Sequence, residues 1–249
     1  MSKRVVLVTG ALAGIGRATA TAFARQGAAV VVAGRRDEAG QALAAELRAL
    51  GGAAEYIRAD VSVEDDVEAL VDGSVRAFGQ LDVAVNNAGF TGSTGPLATL
   101  TLDAYNAIFD TNVRGMFFCL KHELRVMTGQ GLGSIINLSS TMGERGSPRE
   151  ALYTASKHAV NGFTRAAALE VAAQGIRVNA VAPGPIATAG LDRALGGSKE
   201  ALAARTATVP AGRLGQPDEI ADVITFLASD AARFLTGQVI AVNGGKTAA

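Results

Sequence analysis

Val5-Val6-Leu7-Val8-Thr9-Gly10-Ala11-Leu12-Ala13-Gly14-Ile15-Gly16 is the stretch that decides the fold. Four aliphatic residues run straight into a turn with three glycines, and Arg17–Arg25 then reads as a helix. A short all-apolar run marks a strand buried on both faces. Glycines permit a tight turn and let the backbone approach a ligand closely. The following helix offers free N–H groups and the positive end of its dipole, which suits a pyrophosphate. A glycine cluster alone says little. One placed after a strand, before a helix and at the start of a βαβ unit predicts a dinucleotide site. The spacing here is G-x-x-x-G-x-G, not G-x-G-x-x-G.

Outward from this turn the same rhythm continues. Ala29–Ala33, Leu81–Val85, Ser134–Leu138, Arg177–Ala182 and Val239–Val242 read as further buried strands, and Glu55–Arg58 as a weaker one. Helices are expected over Asp37–Leu50, Val63–Phe78, Leu102–Met127, Tyr153–Gln174 and Pro217–Ala228. Gly27, Gly51, Gly79 and Gly175 stand where C-terminal caps belong. The alternation predicts an α/β fold with right-handed crossovers: a single Rossmann-like domain over 1–249, doubly wound, with a mostly seven-stranded parallel sheet and helices on both faces. Residues 187–210 break the rhythm and contain Gly196-Gly197. They follow a strand's C-terminal end, so they read as a substrate-binding lid rather than a plain surface helix pair.

Composition narrows the function classes. The 249 residues are 49% hydrophobic and 18% charged, enough for a sizeable core, and the formal net charge is zero. No basic run suggests nucleic acid. The one cysteine and two histidines form no metal pattern, so no metal site is expected. The apolar run near the N-terminus is too short for a membrane span and lacks a cleavage pattern, so a cytoplasmic enzyme is expected. No G-x-S-x-G elbow points to a hydrolase.

A second stretch carries chemistry. In Ala151-Leu152-Tyr153-Thr154-Ala155-Ser156-Lys157 a phenol and an ammonium stand four residues apart. On a helix they share a face. A nearby cation is expected to lower the phenol's pKa and make it a proton donor and acceptor near neutral pH.

Taken with the glycine turn, the sequence resembles the short-chain dehydrogenase/reductase family. The likeness extends to Asn86-Asn87-Ala88-Gly89, to Asn112, to Ser140 thirteen residues before Tyr153, to Pro183-Gly184, and to Gly237 and Asn243-Gly244-Gly245. It covers essentially the whole chain. The resemblance implies that Tyr153 is the general acid/base and that Lys157 lowers its pKa and bonds the nicotinamide ribose. It implies that Ser140 orients the substrate oxygen and that Asn112 holds a water linking Lys157 to solvent. It implies a cofactor bound by Gly10, Leu12, Ala13, Gly14, Ile15, Gly16, Arg35, Arg36, Asp60, Val61, Asn87, Ala88, Gly89, Tyr153, Lys157, Pro183, Gly184, Ile186 and Thr188. The reaction implied is interconversion of a ketone and a secondary alcohol by hydride transfer.

The position that would carry an acid for the ribose 2′-OH is Gly34, and Arg35-Arg36 follow it. NADP(H) is therefore favoured over the alternative, NAD(H). Ala13 departs from this, because many NADP-using relatives have a basic residue within the turn. Leu12 stands where relatives often carry Ser or Asn.

The substrate is expected to meet Ser140, Met142, Tyr153 and Leu191, with Phe90, Thr91, Gly92, Ser93, Thr94, Thr141, Pro185 and Leu195 nearby. Glu144 and Arg145 are candidates to read a polar substrate or to pair at a subunit edge. A compact small-molecule ketone or alcohol fits this lining. Related enoyl reductases space the Tyr and Lys more widely, so the resemblance implies carbonyl rather than enoyl chemistry. A 3-oxoacyl-carrier-protein reductase is an alternative, weakened by the absence of basic residues in 129–133 and 171–175. A non-catalytic dinucleotide sensor is another, disfavoured by the complete set Asn112, Ser140, Tyr153 and Lys157. The resemblance implies a homotetramer joined through Leu102–Met127, Tyr153–Gln174 and the final strand.

Overall fold

The computed structural model describes residues 3–248. Seven parallel strands form one sheet: β1 (Val5–Val8), β2 (Ala29–Gly34), β3 (Ala53–Arg58), β4 (Val83–Asn86), β5 (Gly133–Leu138), β6 (Ile176–Pro183) and β7 (Val239–Val242). Their order is β3-β2-β1-β4-β5-β6-β7. Leu7 of β1 lies in register with Val31 on one side and Ala84 on the other. The strand order reverses beside β1, and open α/β sheets bind ligands in the crevice beyond the strand ends at such a point.

Nine α-helices are described: α1 (Gly14–Arg25), α2 (Asp37–Ala49), α3 (Glu64–Phe78), α4 (Leu102–Phe109), α5 (Gly115–Gln130), α6 (Ala151–Val171), α7 (Ala189–Ala194), α8 (Lys199–Ala207) and α9 (Pro217–Ala228). Helices α1, α2 and α9 bury Phe23, Leu43, Leu47, Ile220 and Ile224 against one face of the sheet. Helices α3, α5 and α6 bury Leu70, Met116, Leu120 and Val160 against the other. All-apolar strands follow from this two-sided cover.

Two expectations need correction. Leu102–Met127 is not one helix: a π-helical turn over Asp110–Arg114 divides it into α4 and α5. Such turns cluster at functional sites, and this one carries Asn112. Secondly, β7 is not buried on both faces. It is the sheet's edge, and its four residues are half-buried or exposed. Ile240 and Val242 still pack against the core, while Val239 and Ala241 face away from it.

A polar chain crosses the core beneath the strand ends. The Asn86 Nδ2 donates to Glu123 Oε2 (2.9 Å) and Asn137 Oδ1 (3.1 Å), and Asn137 Nδ2 donates to Thr164 Oγ1 (3.0 Å). Burial pushes the Glu123 carboxyl up to about 7, against the pull of the Asn86 bond.

Candidate active site

A cavity of about 720 Å³ opens beyond the strand ends. Ser140, Tyr153 and Lys157 all line it. Ser140 follows β5, where the strand gives way to a 3₁₀ turn at Thr141–Gly143. Its Oγ accepts from Met142 N at 3.2 Å, which leaves the hydroxyl proton available to a ligand. Tyr153 and Lys157 stand one turn apart near the start of α6, and the Lys157 Nζ lies 5.6 Å from the Tyr153 ring centroid. The Nζ also donates to Leu138 O at 2.7 Å.

The electrostatics differ from expectation. Burial pushes the Tyr153 phenol up to about 12, the Glu150 carboxylate pushes the same way, and only the Ser140 hydroxyl opposes them. Burial likewise lowers Lys157 to about 8. The lysine therefore does not hold the phenol below its ordinary value in this structure. At neutral pH the phenol carries its proton and is poised as a general acid.

The Asn112 side chain makes three hydrogen bonds within the protein. Its Oδ1 accepts from Phe90 N (3.1 Å), and its Nδ2 donates to Phe90 O (3.0 Å) and Ser156 Oγ (3.1 Å). Both ends of the side-chain amide are committed to protein partners. The side chain thus ties the loop after β4 to α6.

The glycine turn is held from below. Asn87 Nδ2 donates to Thr9 O and Gly10 O, both at 3.0 Å, and the Thr9 hydroxyl accepts from the amides of Asn87 and Ala88. A Cβ at Gly16 would stand 2.5 Å from both Asn87 Nδ2 and Gly10 O, so no side chain fits there. Helix α1 has no side-chain cap and no acidic residue in its first turn. The amides of Leu12 to Gly16 find no backbone partner among the described residues. Unspent donors at a positive helix end fit a dinucleotide pyrophosphate. The cavity volume lies within the usual range for ligand sites.

Of the residues expected to hold a cofactor, Ile15, Asn87, Gly89, Tyr153, Lys157, Pro183, Gly184, Ile186 and Thr188 line the cavity. Gly10, Leu12, Ala13, Gly14, Gly16, Arg35, Arg36, Asp60, Val61 and Ala88 do not. Several of these shape it from outside. Leu12 packs over Gly34, where an added Cβ would lie 2.6 Å from Leu12 Cδ1. The exposed Arg35 pairs with Asp60 at 3.3 Å. Val61 is buried with Val67 and Cys119, so only its backbone is free to meet a ligand.

On the substrate side, Phe90, Thr91, Gly92, Ser93, Thr141, Met142, Pro185 and Leu191 line the cavity as expected, while Thr94, Glu144, Arg145 and Leu195 do not. Four charged residues that sequence reasoning passed over do line it: Glu150, Arg193, Arg205 and Lys246. They come from four separate segments, and no local motif marks them. Among the described residues, no group of three His, Cys, Asp or Glu side chains is placed to hold a metal. No described helix is long and apolar enough to cross a membrane.

Comparison with known proteins bears on this geometry. A family model described as enoyl-(acyl carrier protein) reductase matches residues 10–247. The cis-4-hydroxycyclohexanecarboxylate dehydrogenase of Sinomonas cyclohexanicum is 44% identical over 99% of this chain and 98% of its own. The 2,5-dichloro-2,5-cyclohexadiene-1,4-diol dehydrogenase of Sphingobium indicum is 42% identical over 100% and 98%. Among solved structures, a levodione reductase superposes with a TM-score of 0.97 at 35% identity, covering 100% of this chain and 99% of that one. An actinorhodin polyketide ketoreductase variant solved with NADPH gives 0.94 at 37% identity, covering 99% of each chain.

Proposed function

The chain belongs to the short-chain dehydrogenase/reductase family, and on that premise we propose that it interconverts a compact alicyclic secondary alcohol and its ketone, using a nicotinamide dinucleotide. The observation that carries this reading is the convergence of Ser140, Tyr153 and Lys157 on one cavity beside the glycine turn. The four-residue spacing of Tyr153 and Lys157 favours carbonyl over enoyl chemistry. Two relatives act on six-membered carbon rings by their names, which supports the alicyclic reading.

In reduction, negative charge builds on the substrate oxygen. The Ser140 hydroxyl donates to that oxygen and fixes its place. The protonated Tyr153 phenol delivers its proton to the same atom. Lys157, held by Leu138 O, keeps a positive charge within one helical turn of the phenol and steadies the phenolate that remains. In oxidation the roles reverse, and the phenolate removes the alcohol proton. The bound cofactor supplies or accepts the hydride. Asn112 acts as a positioning residue, locking the loop at Phe90 to α6 through Ser156.

NADP(H) is the preferred cofactor on this reading. Leu12 fills the space over Gly34 where a ribose-binding carboxylate would stand, and Arg35 and Arg36 lie exposed just beyond. The segment 187–210 serves as the lid. Helices α7 and α8 bury none of their residues in the core, so they can move at little cost. A homotetramer accounts for the apolar edge strand β7 and for the exposed Phe117, Leu169 and Phe234. A cytoplasmic location is consistent with a single, buried, free cysteine.

The test is consumption of NADPH and NADH with cyclohexanone, followed at the reduced-nicotinamide band, for the native protein and Tyr153→Phe. The variant should bind cofactor normally and lose about 10²- to 10⁴-fold in turnover. Near-native turnover would remove Tyr153 from its role.

A further inference from the structure

The chain has a formal net charge of zero, yet the cavity is far from neutral. Among the described residues, the charged ones that line it are Lys157, Arg193, Arg205 and Lys246 against the single carboxylate of Glu150. Lys157 belongs to the catalytic group, which leaves three cations with one counter-charge at the mouth. The Arg205 Nη2 reaches Glu150 Oε1 at 3.4 Å, and both side chains are largely shielded from solvent. Glu150 is already shared, because its Oε2 accepts from Ser147 Oγ at 2.6 Å. The Lys246 ammonium bonds the Thr208 hydroxyl just past α8. Arg145 closes the cluster from behind by donating to Lys246 O at 3.0 Å. Burial lowers the Lys246 pKa, and the Arg145 and Arg205 charges lower it further against the opposing pull of Glu150. An uncompensated group of cations in a concave, partly dry site attracts an anion.

We infer that Arg205 and Lys246, with Arg193 beside them, read a carboxylate on the substrate, so that the preferred substrate is an alicyclic hydroxy or oxo acid. This deepens the reading above and rests on it. The cofactor's phosphates do not account for the cluster. Five strand spacings, about 24 Å, separate the ends of β2 and β7, so the arginines after β2 and the lysine after β7 serve different ends of the crevice. The amides of the glycine turn already suit the pyrophosphate. An acidic carrier protein is a weaker fit, because Arg205 is only about a quarter exposed and lines the cavity instead of standing on an open surface.

The experiment compares 4-hydroxycyclohexanecarboxylate with its methyl ester, which keeps the ring and alcohol and removes the charge. The kcat/KM of each is measured for the native protein and for Arg205→Met, Arg205→Lys and Lys246→Met. The native protein should favour the acid by about tenfold or more, as expected for a charge-assisted contact. Raised salt should shrink that advantage. Each methionine variant should bring the acid-to-ester ratio close to one, with the loss mainly in KM for the acid, and Arg205→Lys should restore part of it. A native ratio near one, with brisk ester turnover, overturns the inference and leaves the ketone–alcohol reaction standing. Equal losses on both substrates overturn it too, since Arg205 would then merely latch α8 to Glu150. So would a clear preference for a 3-oxoacyl carrier-protein thioester over the acid. No turnover of either ring compound overturns the proposed reaction and this inference with it.

Discussion

The two walls of the crevice are built on opposite plans. On the cofactor side, the turn at Gly10–Gly16 is clamped by Asn87 and Thr9, and α1 below it buries five residues. On the substrate side, α7 and α8 bury none, and their contacts are ion pairs and caps near the surface. One wall is positioned by backbone packing, where a single added methyl collides. The other is positioned by charges and short side chains, which tolerate change. On the function proposed above, the difference places each property: cofactor binding and stability share the same atoms, while substrate choice is separable from both.

Gly16→Ala is the strongest way to break this contrast. Its Cβ would meet Gly10 O at 2.5 Å, so the turn must distort. We expect a loss of about 3 kcal/mol or more together with loss of cofactor affinity, read by thermal melts with and without NADPH. If the variant melts normally, the rigid wall is softer than its packing indicates.

Next in size is the pH dependence of the buried carboxyl under that wall. The folded pKa of Glu123, about 7, stands above its unfolded value. The native state therefore takes up a proton preferentially. Its contribution to stability is full below the unfolded pKa and is lost as pH rises through about 7, by up to roughly 3 kcal/mol. Glu123→Gln keeps an acceptor for Asn86 and should flatten that part of the stability profile, measured by denaturant unfolding between pH 4.5 and 8. An unchanged profile would mean that the loss arises elsewhere.

The proposed catalytic group lies between the two walls and makes an intermediate prediction. Lys157 loses its charge as pH rises through about 8, whereas the phenol keeps its proton to about 12. Ketone reduction should hold steady up to about pH 7.5 and decline above about 8, a decline that reports the lysine. A profile flat to pH 10 would show that its charge is dispensable.

The smallest effect is expected in the lid. Gly196 has φ +63° and no atom within 4 Å of an added Cβ. Gly196→Ala should cost about 1 kcal/mol, the price of left-handed backbone, with cofactor affinity unchanged. A cost as large as that of Gly16→Ala would erase the distinction between the walls.

Much of this was legible in the chain itself. Every strand was anticipated, Ala53–Arg58 more faintly because at the sheet's edge it is only partly buried and carries Glu55 and Arg58. Tyr153 and Lys157 were paired by their helical spacing, and Ser140 was singled out by the family resemblance. The break at Asp110–Arg114 was missed, since a π-turn leaves the helical pattern of apolar residues almost intact. The burial of β7 was overestimated because a short apolar run does not distinguish a central strand from a half-buried edge strand.

The sequence by itself determined the order of strands and helices, the glycine turn and the catalytic spacing, because those depend on neighbours along the chain. Only the tertiary structure decided that burial raises the Tyr153 phenol, that the Asn112 side chain bonds Phe90 and Ser156, and that Glu150, Arg193, Arg205 and Lys246 meet at one mouth. Desolvation and charge act through space. Their sum is set by which distant segments the fold brings together, and no window of contiguous residues contains it.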